Sequence, residues 1–325
     1  MTERTLAGTD VRIPDLGVGT WAWGDKSTWG MGTYDASLTE ETIRDAWDAC
    51  IEHGVTLFDT AEVYGKGESE RIIGRLLKAD VGRRKDVVIA TKFMPMPQKL
   101  NVKRALVDAA KKSIERMGID KIDLYQLHGP ISLPSHGALA DAMAEARQLG
   151  LIAGVGVSNY SAKETRSMAA ALETRGLRLA SNQFELSLLR TGPVDNGLVS
   201  TCHELGVAVL AYSPIGQGRL TGKYSASNPP PGSRNFSAHP MEKVDDVVAV
   251  LRRIGAAHER TPAQVALQWL IAKGTVPIPG AKNRKQAEDN AGGKGWSMTP
   301  DEIVQLDGAG LSGIRNLQSR FWQHG

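Results

Sequence analysis

Apolar residues along the chain follow two alternating patterns. Short runs bounded by Gly, Pro or polar residues alternate with longer segments in which apolar residues recur every three or four positions. The first pattern marks buried strands and the second amphipathic helices, so the chain reads as successive βα units around a parallel sheet. Eight strands are expected, over 16–20, 55–59, 87–92, 122–128, 152–158, 180–185, 207–213 and 275–280. Between the first two, Ser37 and Glu40 have capping-box spacing, and Ile43, Ala46, Trp47, Cys50 and Ile51 form an apolar stripe ending before Gly54. A second helix is expected over 101–117, with Val102, Ala105, Leu106, Ala109 and Ile114 on one stripe and Gly118 as its stop.

Eight strands, each followed by a helix, predict an α/β fold of the (β/α)8 TIM barrel type; a doubly wound sheet is the alternative. Nothing along 1–325 marks a second domain. The opening RTLAGTDVRIP alternates and is broken at Gly8, which predicts an N-terminal β-hairpin closing the barrel floor. Segment 215–240, rich in Gly, Ser and Pro, follows the seventh strand. In a barrel, a loop there lies over the active face.

Composition narrows the function classes. A chain of 325 residues, 41% hydrophobic, can bury a large core. Its 39 basic and 36 acidic residues are interspersed and leave a formal charge of +3, which argues against nucleic acid and anionic membrane as partners. No run approaches the roughly 18 apolar residues of a membrane span, and the opening lacks an apolar signal core. Cys50 and Cys202 lie far apart, as suits a reducing compartment. The expectation is a cytoplasmic protein, and a monomer, because no exposed heptad or interface stripe appears.

In a barrel the carboxyl ends of the strands host the active site. Three consecutive predicted strands end in Asp59, Lys92 and His128. Period-two alternation puts Asp59 on one face with Leu57, Lys92 with Ala90, and His128 with Gln126 and Leu124. If those faces point inward the three polar heads converge, since neighbouring strands are about 4.8 Å apart. Tyr64, five residues past Asp59 in the loop of LFDTAEVYG, can fold back over them. An ammonium beside a phenol favours the phenolate. At about 4 Å and an effective dielectric near 20 the attraction is on the order of 4 kcal/mol, or roughly three pKa units, before desolvation subtracts some. Such a phenol can protonate a carbonyl oxygen near neutral pH.

The chain resembles the aldo-keto reductases in GVGTWAWG (17–24), FDTAEVYG (58–65), ATKF (90–93), DLYQLHGP (123–130), GVGVSNY (154–160), NQFELS (182–187), AYSPIGQGRLTGKY (211–224) and IPGAKNRKQAEDN (278–290). By that resemblance the catalytic residues are Asp59, Tyr64, Lys92 and His128, the cofactor is NADPH/NADP+, and the partner is a small-molecule carbonyl substrate. The resemblance also implies that Ser158, Asn159 and Gln183 hold the nicotinamide carboxamide and that Tyr212 stacks on its ring. It places Gly19, Thr20 and Trp21 near the cofactor, and Ser213, Pro214, Ile215, Gly216, Gly218 and Lys223 around the pyrophosphate. Gly280, Lys282, Arg284, Gln286, Asp289 and Asn290 match the adenosine end. Gln286 stands where some members carry Arg, so the charge for a 2′-phosphate falls to Lys282 and Arg284. Trp21, Trp23 and Trp29 are expected as pocket walls, and Gly129 stands where many relatives carry an aromatic residue. Two other readings are a cofactor-binding regulator, by similarity to the β subunits of voltage-gated potassium channels, and a Schiff-base lyase using Lys92.

Overall fold

A computed structural model describes residues 3–24, 38–96, 101–231, 237, 239–313 and 321–325. Two short strands, β1 (Arg4–Thr5) and β2 (Arg12–Ile13), pair antiparallel. They form the expected hairpin. Eight further strands follow: β3 (Gly17–Gly19), β4 (Leu57–Asp59), β5 (Val88–Phe93), β6 (Ile122–Leu127), β7 (Ile152–Ser158), β8 (Leu179–Glu185), β9 (Ala208–Tyr212) and β10 (Val276–Pro277). All eight lie in sequence order in one parallel sheet. A bridge between Gly19 and Gly280, with Gly19 N donating to Pro279 O at 3.1 Å, joins the two ends. The fold is therefore the (β/α)8 barrel that the hydrophobic pattern predicts. Strand β10 is shorter than expected because Pro277 and Pro279 have no N–H for the ladder.

Two apolar clusters divide the interior. The larger lies between the barrel wall and the helices and contains Trp47, Phe58, Tyr125 and Trp269. The smaller fills the barrel itself: Leu57, Ala90, Leu124, Ala180, Ala208, Leu210, Val276 and Ile278 pack with Leu6 and Ile13 of the hairpin. The hairpin thus closes the barrel floor with two aliphatic side chains. An apolar lower interior leaves the polar chemistry to the upper layer.

Helix positions also follow the sequence, with one correction. The helix Val102–Met117 is capped by Asn101, and Gly118 ends it in the left-handed region (φ 63). The helix Glu40–Glu52 takes its N-cap from Thr39, whose hydroxyl accepts from Thr42 N, while Thr42 Oγ1 accepts from Thr39 N. The box expected from Ser37 and Glu40 is therefore displaced, and Ser37 itself lies outside the described residues. The register that wins brings Leu38, just before the cap, onto the core that holds Ile43, a hydrophobic staple. It also leaves Glu40 and Glu41 in the first turn, where the helix dipole favours them.

Candidate active site

The registers of β4, β5 and β6 carry three polar side chains to one layer above the apolar plug. Asp59 pairs with Ala90, so Lys92 stands one inward position higher on β5, and Lys92 pairs directly with Gln126. Asp59 is 2% exposed and Lys92 is fully buried. A charge there is stable only if paired and hydrogen-bonded. Lys92 Nζ donates to Asp59 Oδ2 at 2.5 Å, to Thr60 O at 2.7 Å and to Tyr64 Oη at 3.3 Å. These three bonds use every proton of the ammonium. Burial pushes the lysine below its ordinary pKa of 10.5, and the Asp59 carboxylate opposes that shift.

Asp59 is held on its other oxygen as well. Gln126 Nε2 and Gln183 Nε2 donate to Oδ1 at 3.0 and 2.8 Å. Gly156 makes this arrangement possible. A Cβ on it would stand 2.7 Å from Gln126 Cγ and 2.3 Å from Ser181 Oγ, so any larger residue would push the Gln126 side chain out of line. The role of Gln126 is not apparent from the sequence, although its place two residues before His128 on the same face was a signal.

Tyr64 opens a short turn, Tyr64–Gly67, in which Gly65 and Lys66 adopt left-handed backbone conformations. This folds its ring back over the strand ends. The Trp21 ring lies 6.3 Å away, and the partly buried His128 ring stands edge-on at 5.6 Å. Burial first, and then the nearby Lys92 charge, push the imidazole well below its ordinary pKa of 6.5, so His128 is neutral near pH 7. Its Nδ1 is buried without a hydrogen-bond partner. The four residues singled out by strand-end position and loop spacing thus meet in one site.

At the ends of β7 and β8 a second polar group forms. Ser158 Oγ and Asn159 N both donate to Gln183 O, at 2.9 and 2.8 Å, and Tyr212 Oη donates to Asn159 Oδ1 at 3.0 Å. Asn159 has φ 62, a conformation fixed by these bonds. In the loop after β9, Ser213, Gly216, Gln217 and Gly218 all have positive φ, and Arg219 ties the turn down by donating to Gly216 O and Ser237 O. Within the turn, Gly216 N and Gly218 N donate to Ser213 O and Ile215 O, at 2.9 and 3.1 Å.

Residues 321–325 are part of the same region, and the sequence alone gave no sign of it. Gln323 Nε2 donates to Glu185 Oε2 at 2.7 Å and to Tyr212 Oη at 2.8 Å. Glu185 Oε1 accepts from Ser237 Oγ. Burial pushes this carboxyl above its ordinary range, against the pull of those hydrogen bonds and of Arg190.

Of the remaining expected residues, one leaves the pocket wall. Trp23, expected in the pocket wall, is 3% exposed and packs in the outer core against Trp47 and Phe58, with its indole N–H donating to Ala281 O. A short helical turn, Trp21–Gly24, sends Trp21 toward Tyr64 and Trp23 inward. The Thr20 hydroxyl is buried against Asp59 O and Ser69 Oγ, so it braces the end of β4. Arg284 is bound to Glu52 at 2.7 Å and to Glu288 at 3.4 Å. Gln286 accepts from Lys282 N, and Asn290 donates to Gly280 O. Lys223 is exposed, with its ammonium over the Tyr224 ring, and Asp289 is exposed. Trp29 lies outside the described residues.

This arrangement of buried carboxylate, ammonium, phenol and imidazole can be set beside known proteins. The model of the Aldo/keto reductase family matches residues 15–310. The chain belongs to the aldo/keto reductase family. Its members include a chloroplastic pyridoxal reductase of Arabidopsis thaliana, 36% identical to this chain over 96% of its length and 87% of the relative's. An aldo-keto reductase of Schizosaccharomyces pombe whose name carries NADP(+) is 32% identical over 88% of each chain. Among solved structures, a thermostable aldo-keto reductase in complex with the inhibitor epalrestat superposes with a TM-score of 0.76 at 28% identity, covering 95% of this chain and all of the other. The family assigns the protein to the oxidoreductases. Among the described residues no helix is long and apolar enough to cross a membrane.

Proposed function

We propose that this aldo/keto reductase reduces aldehydes and some ketones with NADPH, and that Tyr64 is the general acid. The observation that carries the reading is the direction of one hydrogen bond. An ammonium has no lone pair to accept with, so in the 3.3 Å contact the Tyr64 oxygen is the acceptor and Lys92 the donor. Accepting from Lys92 leaves the tyrosine able to act as a donor toward a carbonyl oxygen, and the adjacent positive charge stabilises the phenolate that remains. Asp59 and the Thr60 carbonyl keep the ammonium aimed at that oxygen. His128 lacks a partner on buried Nδ1, and an orphaned lone pair costs less than an orphaned N–H, which puts the ring proton on Nε2. Neutral His128 can therefore hydrogen-bond the same carbonyl oxygen without competing as an acid.

NADPH, when bound, supplies the hydride for the carbonyl carbon. The residues present fit it. Asn159, Ser158 and Gln183 bring amide and hydroxyl groups together beside Tyr212, and Gly216 and Gly218 leave the 213–218 turn without side chains at two positions, where a phosphate can approach the backbone closely. By the family resemblance, Lys282 is the cation assigned to a 2′-phosphate. Lys282→Ala is expected to weaken NADPH binding about tenfold and to leave NADH binding unchanged, measured by titration with each cofactor. Equal weakening of both would remove Lys282 from that role.

The buried, triply hydrogen-bonded Lys92 is a poor amine nucleophile, which weighs against the Schiff-base reading. The name of the Arabidopsis relative suggests pyridoxal as a test substrate alongside 4-nitrobenzaldehyde. Multiple turnovers of either aldehyde with consumption of NADPH are expected. Tight NADPH binding without turnover of any carbonyl would overturn the reductase reading in favour of a regulator. The proposal extends to a monomer and to the cytoplasm; a reducing compartment of that kind suits the two free, buried cysteines, Cys50 and Cys202.

A further inference from the structure

Beside His128, the space that a side chain at position 129 would fill is taken by residue 322. The Trp322 and His128 rings stand 6.1 Å apart at 64°. A Cβ at Gly129 would lie 2.9 Å from Trp322 Cη2 and 3.0 Å from Cζ2. Real Cβ contacts are not that short, so the indole can occupy this place only because residue 129 is glycine. The seat is built on the other side as well. Gln323 is 6% exposed and bonds both Glu185 and Tyr212; His324 N donates to Asn159 O at 3.1 Å, and Arg190 Nη2 donates to Gly325 O at 2.8 Å. Segment 321–325 is therefore pinned to the same residues, Tyr212 and Asn159, that line the proposed nicotinamide end. Trp322 projects from that anchor toward His128, at the carbonyl end.

Resting on the reductase reading above, we propose that Trp322 is a specificity-determining wall of the carbonyl pocket, admitted by Gly129, and that it favours planar aromatic aldehydes over aliphatic ones of similar size. A flat indole face gives a planar substrate stacking contact that a flexible alkyl chain cannot match. Glu185 and Gln323 act through Trp322 by holding its segment in place.

The test compares kcat/KM for 4-nitrobenzaldehyde and hexanal, with NADPH affinity measured alongside. Trp322→Ala is expected to lower the aromatic value about tenfold while hexanal and NADPH change little. Trp322→Phe is expected to restore most of the loss. Gly129→Ala, which displaces the ring, is expected to lower the aromatic preference in the wild-type background and to have no further effect in Trp322→Ala. Equal loss for both aldehydes in Trp322→Ala, or a Gly129→Ala effect of the same size in both backgrounds, would overturn the assignment. A wild-type protein that binds NADPH yet reduces neither aldehyde would instead overturn the reductase reading, and this inference with it.

Discussion

Tyr64→Phe is expected to lower the rate of carbonyl reduction by roughly 10²- to 10⁴-fold, the range removed with a positioned general acid. NADPH affinity is expected to stay within about twofold. The substitution removes one oxygen and keeps the ring that packs edge-on to His128 and beside Trp21. Lys92 then loses one of three acceptors but keeps Asp59 Oδ2 and Thr60 O. The barrel and the cofactor groups on β7, β8 and β9 are untouched, so the loss falls on kcat. A matching fall in NADPH affinity would mean that Tyr64 serves to bind.

Lys92→Met is expected to do two separable things. It removes the charge that stabilises the phenolate, so turnover falls as far as in Tyr64→Phe, and the double variant falls no further because the two act as one unit. It also strands the Asp59 carboxylate, 2% exposed, with only two amide donors. Leaving one charge of a buried pair alone costs about 3–5 kcal/mol, a large fraction of the roughly 5–15 kcal/mol that holds a domain folded. Adding Asp59→Asn is expected to recover most of that stability, because it removes the stranded charge, and none of the activity. Turnover of wild type, Tyr64→Phe, Lys92→Met and their double variant checks the first half, and chemical denaturation and turnover of wild type, Lys92→Met and Lys92→Met/Asp59→Asn check the second. Recovery of activity in Lys92→Met/Asp59→Asn would show that the ammonium is only a structural counter-ion.

Much of this was legible in the chain because its determinants are local. Each strand is a short apolar run, and the alternation that put Leu57 and Asp59, or Ala90 and Lys92, on one face is a property of neighbouring residues. The barrel then brings those faces together. What the chain does not spell out depends on contacts between distant residues. Gln183 reaches Asp59 across 124 positions and Gln323 reaches Glu185 across 138. Nothing around Gln323 indicates that it is buried. Trp21 and Trp23 carry the same local signal, yet one turn of helix sends the first to the mouth and the second into the core. Thr39 and Ser37 both offer a cap, and the choice is made by the packing of Leu38 and Ile43.

Lys92 and Tyr64 are tested together by the pH dependence of a single turnover. With NADPH saturating and 4-nitrobenzaldehyde as substrate, the wild-type rate is expected to be high at neutral pH. It is expected to fall on the alkaline side, below the ordinary lysine value of 10.5, as Lys92 loses the charge that stabilises the phenolate. Tyr64→Phe is expected to be slow throughout and to lack that alkaline limb. A Tyr64→Phe protein that keeps both the rate and the limb would show that the proton comes from another group.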